Sequence, residues 1–108
     1  MADTFTRKKL AFIQLADTKG DIYDSGSAIG LVHNIIIHNT NTSSETVELF
    51  LHDGSNEYQL FDMSVVANDT KMMDFRGEGL IVDASSKITG NTTVASKVTC
   101  LICGQEET

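Results

Sequence analysis

The sequence predicts an all-β protein: an antiparallel β-sandwich, immunoglobulin-like or jelly-roll-like, of about 7–9 short strands. Three observations predict it. Apolar residues recur with a period of two in several segments, clearest in Thr46-Val47-Glu48-Leu49-Phe50-Leu51-His52, as they do along half-buried strands. Turn chemistry interrupts the chain roughly every 8–12 residues, the rhythm of a sandwich. No segment repeats apolar residues at i, i+3, i+4 and i+7 over three turns, so little or no helix is expected.

The elements follow in order. Residues 9–15 predict a first strand, with Leu10, Phe12 and Gln14 sharing a face. Residues 17–27, which hold Gly20, Gly26 and the isolated pair Ile22-Tyr23, read as irregular. Residues 31–38 are β-branched and apolar on both parities, which marks a central strand with both faces mostly covered. The polar connection 39–45 suits a hairpin or a crossing between two sheets. Residues 46–52 put Val47, Leu49 and Leu51 inward, and Asp53-Gly54-Ser55-Asn56 is a strong turn signal leading to a return strand at 57–61. Shorter strands are expected at 63–66, 71–75, 80–82 and 87–90. A last strand at 93–103 carries Val94, Ser96, Val98, Cys100 and Ile102 on one face. Lys71, Lys87 and Lys97 are placed to guard edge strands, since proline is absent.

Length and composition bound the function. A chain of 108 residues is one domain, divided into an arm and first strand at 1–27, a core at 28–104 and an acidic tail at 105–108. Fifteen acidic against eight basic residues give a net charge of −7. That argues against nucleic acid as a partner, because such binding needs Lys and Arg to neutralise phosphates. The charge is uneven. Residues 1–20 hold Arg7, Lys8, Lys9 and Lys19 against Asp3 and Asp17, so a slightly basic segment precedes an acidic body. Ile35-Ile36-Ile37 is the longest unbroken apolar run, far short of the ~20 residues of a membrane span. Gln14 ends Leu10-Ala11-Phe12-Ile13 after four residues, too soon for a secretory signal, so synthesis in a cytoplasm is expected.

No motif points to catalysis. Cys100 and Cys103 form a C-x-x-C, but inside a strand these positions face opposite ways about 10 Å apart, beyond disulfide reach. Two reduced structural thiols are expected, with an intermolecular disulfide or shared metal as the alternative. His33 and His38 differ by five and should project from opposite faces; His38 and His52 lie near the ends of adjacent strands and so could approach each other. Asp53-Gly54-Ser55-Asn56-Glu57 lacks the alternating register of a calcium loop. Gly77-Glu78-Gly79 precedes neither a helix nor Lys-Ser/Thr and is no phosphate cradle. No catalytic, cofactor or metal residue is predicted. Phe50 stands out, because its neighbours on the same strand face are Glu48 and His52. It either packs under a second layer or anchors an interface.

From Leu31 to Gly104 the chain resembles a family of small immunoglobulin-like virion proteins of tailed bacteriophages. The resemblance is carried by a strand ending in Asn39-Thr40, the polar connection 41–45, the alternating strand 46–51 and the Asp53-Gly54 turn. It continues through the Tyr58 strand, the turn 77–80 and the valine-rich strand 94–104. Such proteins are like capsid decoration (cement) proteins or tail and neck components, and none is an enzyme. The resemblance implies a virion location, a major capsid protein or other virion protein as partner, and a homo-oligomer, a trimer by preference. It implies an arm meeting acidic shell groups through Arg7, Lys8 and Lys9. Phe5, Phe12, Phe50 and Tyr58 complete the interface residues expected. A tail, collar or fibre-adaptor subunit is the first alternative. A carbohydrate- or receptor-binding sandwich using Tyr58 or Phe50 is the second.

Overall fold

The computed structural model describes residues 5–75 and 79–107, with side chains from Lys9 onward. Nine strands form: β1 (Phe5–Gln14), β2 (Gly20–Asp24), β3 (Ile29–Asn39), β4 (Glu45–His52), β5 (Glu57–Val65), β6 (Thr70–Asp74), β7 (Leu80–Val82), β8 (Lys87–Thr92) and β9 (Val98–Glu107). One sheet has the order β1-β9-β3-β6, with β7 also paired to β3; the other has β2-β8-β4-β5. Every pairing is antiparallel. We call these the first and second sheets.

This order selects the jelly roll over the immunoglobulin-like arrangement. β4 and β5 form a hairpin at the Asp53 turn. Around it β3 pairs with β6 and β7, β2 with β8, and β1 with β9. The chain is thus one long hairpin folded into two sheets, closed by the additional pairs β3–β9 and β4–β8. The core lies between the sheets. Val32, Ile35, Ile37, Val47, Leu49, Ile88, Val98, Cys100 and Ile102 are all fully buried, and they are the inward parity of their strands.

Several expectations are corrected. Residues 5–27 are not a separate arm: β1 pairs with β9 along its whole length, and β2, in the stretch read as irregular, edges the second sheet. Gln105, Glu106 and Glu107 belong to β9 rather than to a tail. The strands expected at 57–61 and 63–66 are one strand, bent where the β4–β5 register shifts between Leu49 and Phe50. The last strand begins at Val98; Ser96 adopts a positive φ of 65°, which ends strand geometry there and leaves Val94 outside, 43% exposed. Of the proposed edge guards only Lys71 lies on an edge strand. Lys87 sits on the interior β8 and pairs with Asp21 at 3.1 Å, and Lys97 precedes β9.

The 39–45 connection is a crossing between sheets, built on buried polar groups. Asn39 donates from Nδ2 to the carbonyls of Ser43 and Val65, both at 2.9 Å. Glu45, also buried, accepts from Asn41 Nδ2 at 2.6 Å, Val94 N–H at 2.8 Å and Thr92 Oγ1 at 3.0 Å. Burial pushes this carboxyl up, but the three donors outweigh burial and hold it below its ordinary 4.5. Hydrogen bonds likewise lower Asp53, first from Asn56 N–H, and Asp69, first from Thr70 N–H. A carboxyl lowered in the fold stabilises it wherever it is ionised. That contribution is complete above the unfolded value and is lost as pH falls through the folded one. Urea midpoints are therefore expected to fall steeply below about pH 4.5. Glu45→Gln should reduce stability at pH 7 and flatten that acid limb; an unchanged limb would show that Glu45 does not drive it.

Candidate functional site: the outer face of the first sheet

The two sheets present unlike outer faces. On the second, Glu48 accepts from Gln59 Nε2 (3.1 Å) and Asn91 Nδ2 (3.4 Å), and Glu57 accepts from Thr89 Oγ1 (3.2 Å) and pairs with Lys19 at 2.5 Å. Phe50 lies on this face, half-buried, with Lys19 Nζ 3.9 Å from its ring centroid. Around Phe50 this face is polar, and Glu48 and Glu57 find their partners within it.

The first sheet is different because two β-bulges change which residues point outward. In β1 the register shifts between Lys9 and Ala11; in β3 it shifts between Val32 and Asn34. A bulge adds one residue and reverses parity beyond it. Leu10 and Ala11 consequently both pack on the core, while Phe12 turns outward, 61% exposed. His33 and His38 come to the same outer side, contrary to the simple count. His33 Nε2 meets Gln105 Nε2 at 3.1 Å, and His38 Nδ1 meets Thr70 Oγ1 at 2.7 Å. His52 lies in the other sheet, at the end of β4 remote from the β3–β4 crossing, so it does not join His38.

The bulges also align an apolar row across four strands. Phe12 pairs with Leu101, Leu101 with Ile36, and Ile36 with Met72. The row ends are wide open, Met72 being 59% exposed, and its middle is half-buried. The next row runs Lys9–Cys103–Asn34–Asp74, positive at the β1 edge and negative at the β6 edge. Lys9 Nζ lies 5.0 Å from the Phe12 ring. Asn34 Oδ1, buried, takes no hydrogen bond. A third row, Gln14–Thr99–His38–Thr70, is polar. An exposed apolar stripe with polar rows on both sides is the composition of a contact surface.

Of the predicted interface residues, Lys9 and Phe12 lie on this face. Phe50 lies on the other sheet, and Tyr58, 54% exposed, lies on the edge strand β5. The side chains of Phe5, Arg7 and Lys8 lie outside those described. Leu101, Ile36 and Met72 were missed. The signal for Ile36 was the apolar off-parity of residues 31–38, which here lies on the outer face of the sheet.

The cysteines divide as predicted: Cys100 is buried in the core, Cys103 faces outward, and both are free. Burial pushes the Cys100 thiol up to about 12, so it is unreactive as a nucleophile. A thiol reagent should modify no more than one cysteine per native chain and two in guanidinium; two native modifications would contradict this burial. Among the described residues, no group of three or more His, Cys, Asp or Glu side chains is placed to hold a metal ion. Among the described residues no helix is long and apolar enough to cross a membrane. An open cleft of about 460 Å³ lies between the turns of Gly26, Gly54 and Ser85. Its polar groups serve the turns: Asp24 Oδ1 accepts from Gly26 N–H (2.9 Å), and His52 Nδ1 from Gly54 N–H (3.1 Å).

No family model matches the chain, and no curated protein is similar to it. Among solved structures it is similar to a chain in the structure of infectious bursal disease virus, Gx strain, with a TM-score of 0.51 and 9% identity. The likeness is one of fold. It covers 99% of this chain and 32% of that one, so this protein spans about a third of the length of its viral neighbour. The aligned portion takes in the whole sandwich described above.

Proposed function

We propose that this chain is a structural component of a tailed-phage virion, and specifically a capsid decoration protein that binds and stabilises the head shell. The observation that carries the reading is the jelly roll itself, with strand order β1-β9-β3-β6 and β2-β8-β4-β5. The similar chain from a virus structure supports it, as does the family resemblance of residues 31–104. The unlike faces suit the role. A decoration subunit needs one surface for protein contact and another for water, and an acidic outer surface keeps assembled particles apart. On this reading the partners are the major capsid protein and further copies of the chain, and the virion is its location.

Quantitative mass spectrometry on separated heads and tails tests the proposal. Hundreds of copies on heads are expected. A few tens or fewer on tails would replace decoration with a neck, collar or fibre role. Absence from both would overturn the virion reading, and a glycan-binding screen centred on Tyr58 would follow.

A further inference from the structure

We infer that the outer face of the first sheet is where two copies of this chain join, face to face, about a two-fold axis parallel to the strands. The inference goes beyond the decoration reading and does not depend on it.

Charge decides which face can meet its own copy. Among the described side chains, the outward positions of the first sheet carry one basic residue (Lys9) and two acidic ones (Asp74, Glu107), a net −1. Those of the second carry one basic residue (Lys87) and five acidic ones (Asp21, Asp24, Glu48, Glu57, Asp62), a net −4. Two second sheets repel each other far more strongly than two first sheets do.

Register decides the orientation. A two-fold axis along the strands places β1 of one copy opposite β6 of the other, and β9 opposite β3, while keeping each row over itself. Phe12 then faces the partner's Met72, and Leu101 faces the partner's Ile36. Lys9 faces the partner's Asp74, twice over by symmetry, so a row that is positive at one edge and negative at the other becomes self-complementary. A two-fold axis across the strands would instead set β1 against β1 and leave Lys9 without an opposite charge. The self-matching patch is the signature of an isologous contact. Ten residues of β9 and a width of four strands give a face of roughly 600 Å² in projection. That is on the order of the ~800 Å² each partner contributes to a standard interface. Sheets stacked this way lie about 10 Å apart with strands roughly aligned.

The test is a charge swap read by light scattering. The full chain should run at twice its 11.8 kDa mass. Lys9→Asp and Asp74→Lys should each weaken the dimer at least tenfold, since each creates two like-charge contacts. An equimolar mixture of the two variants should restore it, because both pairs are then opposite in sign. Met72→Ser, at an exposed position that folding does not need, should also give single chains with an unchanged circular dichroism spectrum; it decides the matter should Asp74→Lys fail to fold. A parent chain that stays at single-chain mass across about 1–100 µM, or that forms a trimer, would overturn the inference. So would a dimer indifferent to Met72→Ser, or variants that stay apart when mixed.

Discussion

Gly104→Ala is expected to destabilise the protein by at least about 4 kcal/mol, a large share of the ~5–15 kcal/mol that keeps a domain folded. The usual sign of a glycine-to-alanine change in a strand is the opposite. Alanine restricts the unfolded chain and stabilises by roughly 0.4–1 kcal/mol where the backbone allows it. Here space forbids it. A Cβ at Gly104 would stand 2.0 Å from the carbonyl oxygen of Leu31 and 3.1 Å from Leu10 Cδ1. The first of these is backbone of β3, not a side chain that can swing aside. Gly104 pairs with Lys8 on one side and Val32 on the other, next to the β3 bulge. Making room means separating β3 from β9, the two interior strands of the first sheet. Urea unfolding of parent and variant measures the effect. Gly20→Ala is the control: its nearest neighbour to a new Cβ is Thr18 O at 4.0 Å, and it should change stability by no more than about 1 kcal/mol. Equal effects at the two positions would refute the close approach.

The same bulges explain what could be read from the sequence and what could not. Alternation gave β4 almost residue for residue, a short apolar run gave β7, and the Asp53 turn gave the hairpin between β4 and β5. Residues 17–27 looked irregular because β2 has only the pair Ile22-Tyr23 as apolar content. Tyr23 is nevertheless buried, its OH donating to Glu106 Oε2 at 2.6 Å; the partner is 83 residues away, and no local pattern reveals it. The choice of jelly roll over immunoglobulin-like order is also long-range, since it depends on β9 lying between β1 and β3. The outer face failed for a sharper reason. Parity counting from Leu10 sends Phe12 inward, and counting from His33 sends His38 to the far side. Each count crosses a bulge, which is set by the partner strand's register. Phe12 and Lys9 were still named, from charge and aromatic content. Ile36 was hidden inside an apolar triplet.

That triplet supplies the decisive contrast. Ile35→Ala is expected to cost about 4 kcal/mol, within the 2–5 kcal/mol of a core isoleucine truncation. Its side chain is fully buried on β3, at the middle of the first sheet, where neighbouring strands on both sides hold the backbone against collapse into the cavity. The thermal midpoint should fall by roughly 15 °C or more for a chain of this length. Ile36→Ala removes the same atoms one residue away. Its side chain is half-buried on the opposite face, in register with Leu101 and Met72, so a single chain should lose only about 1 kcal/mol. The dimer, however, loses a central contact in both copies and should dissociate at least tenfold more readily, about 1.4 kcal/mol. Thermal unfolding at a concentration where the parent is monomeric isolates the first effect; sedimentation at higher concentration isolates the second. If Ile36→Ala lowered the midpoint as far as Ile35→Ala, the outer row would be part of the core and not a contact surface. If it changed neither quantity, its exposed neighbours Phe12 and Met72 would have to hold the two copies together without it.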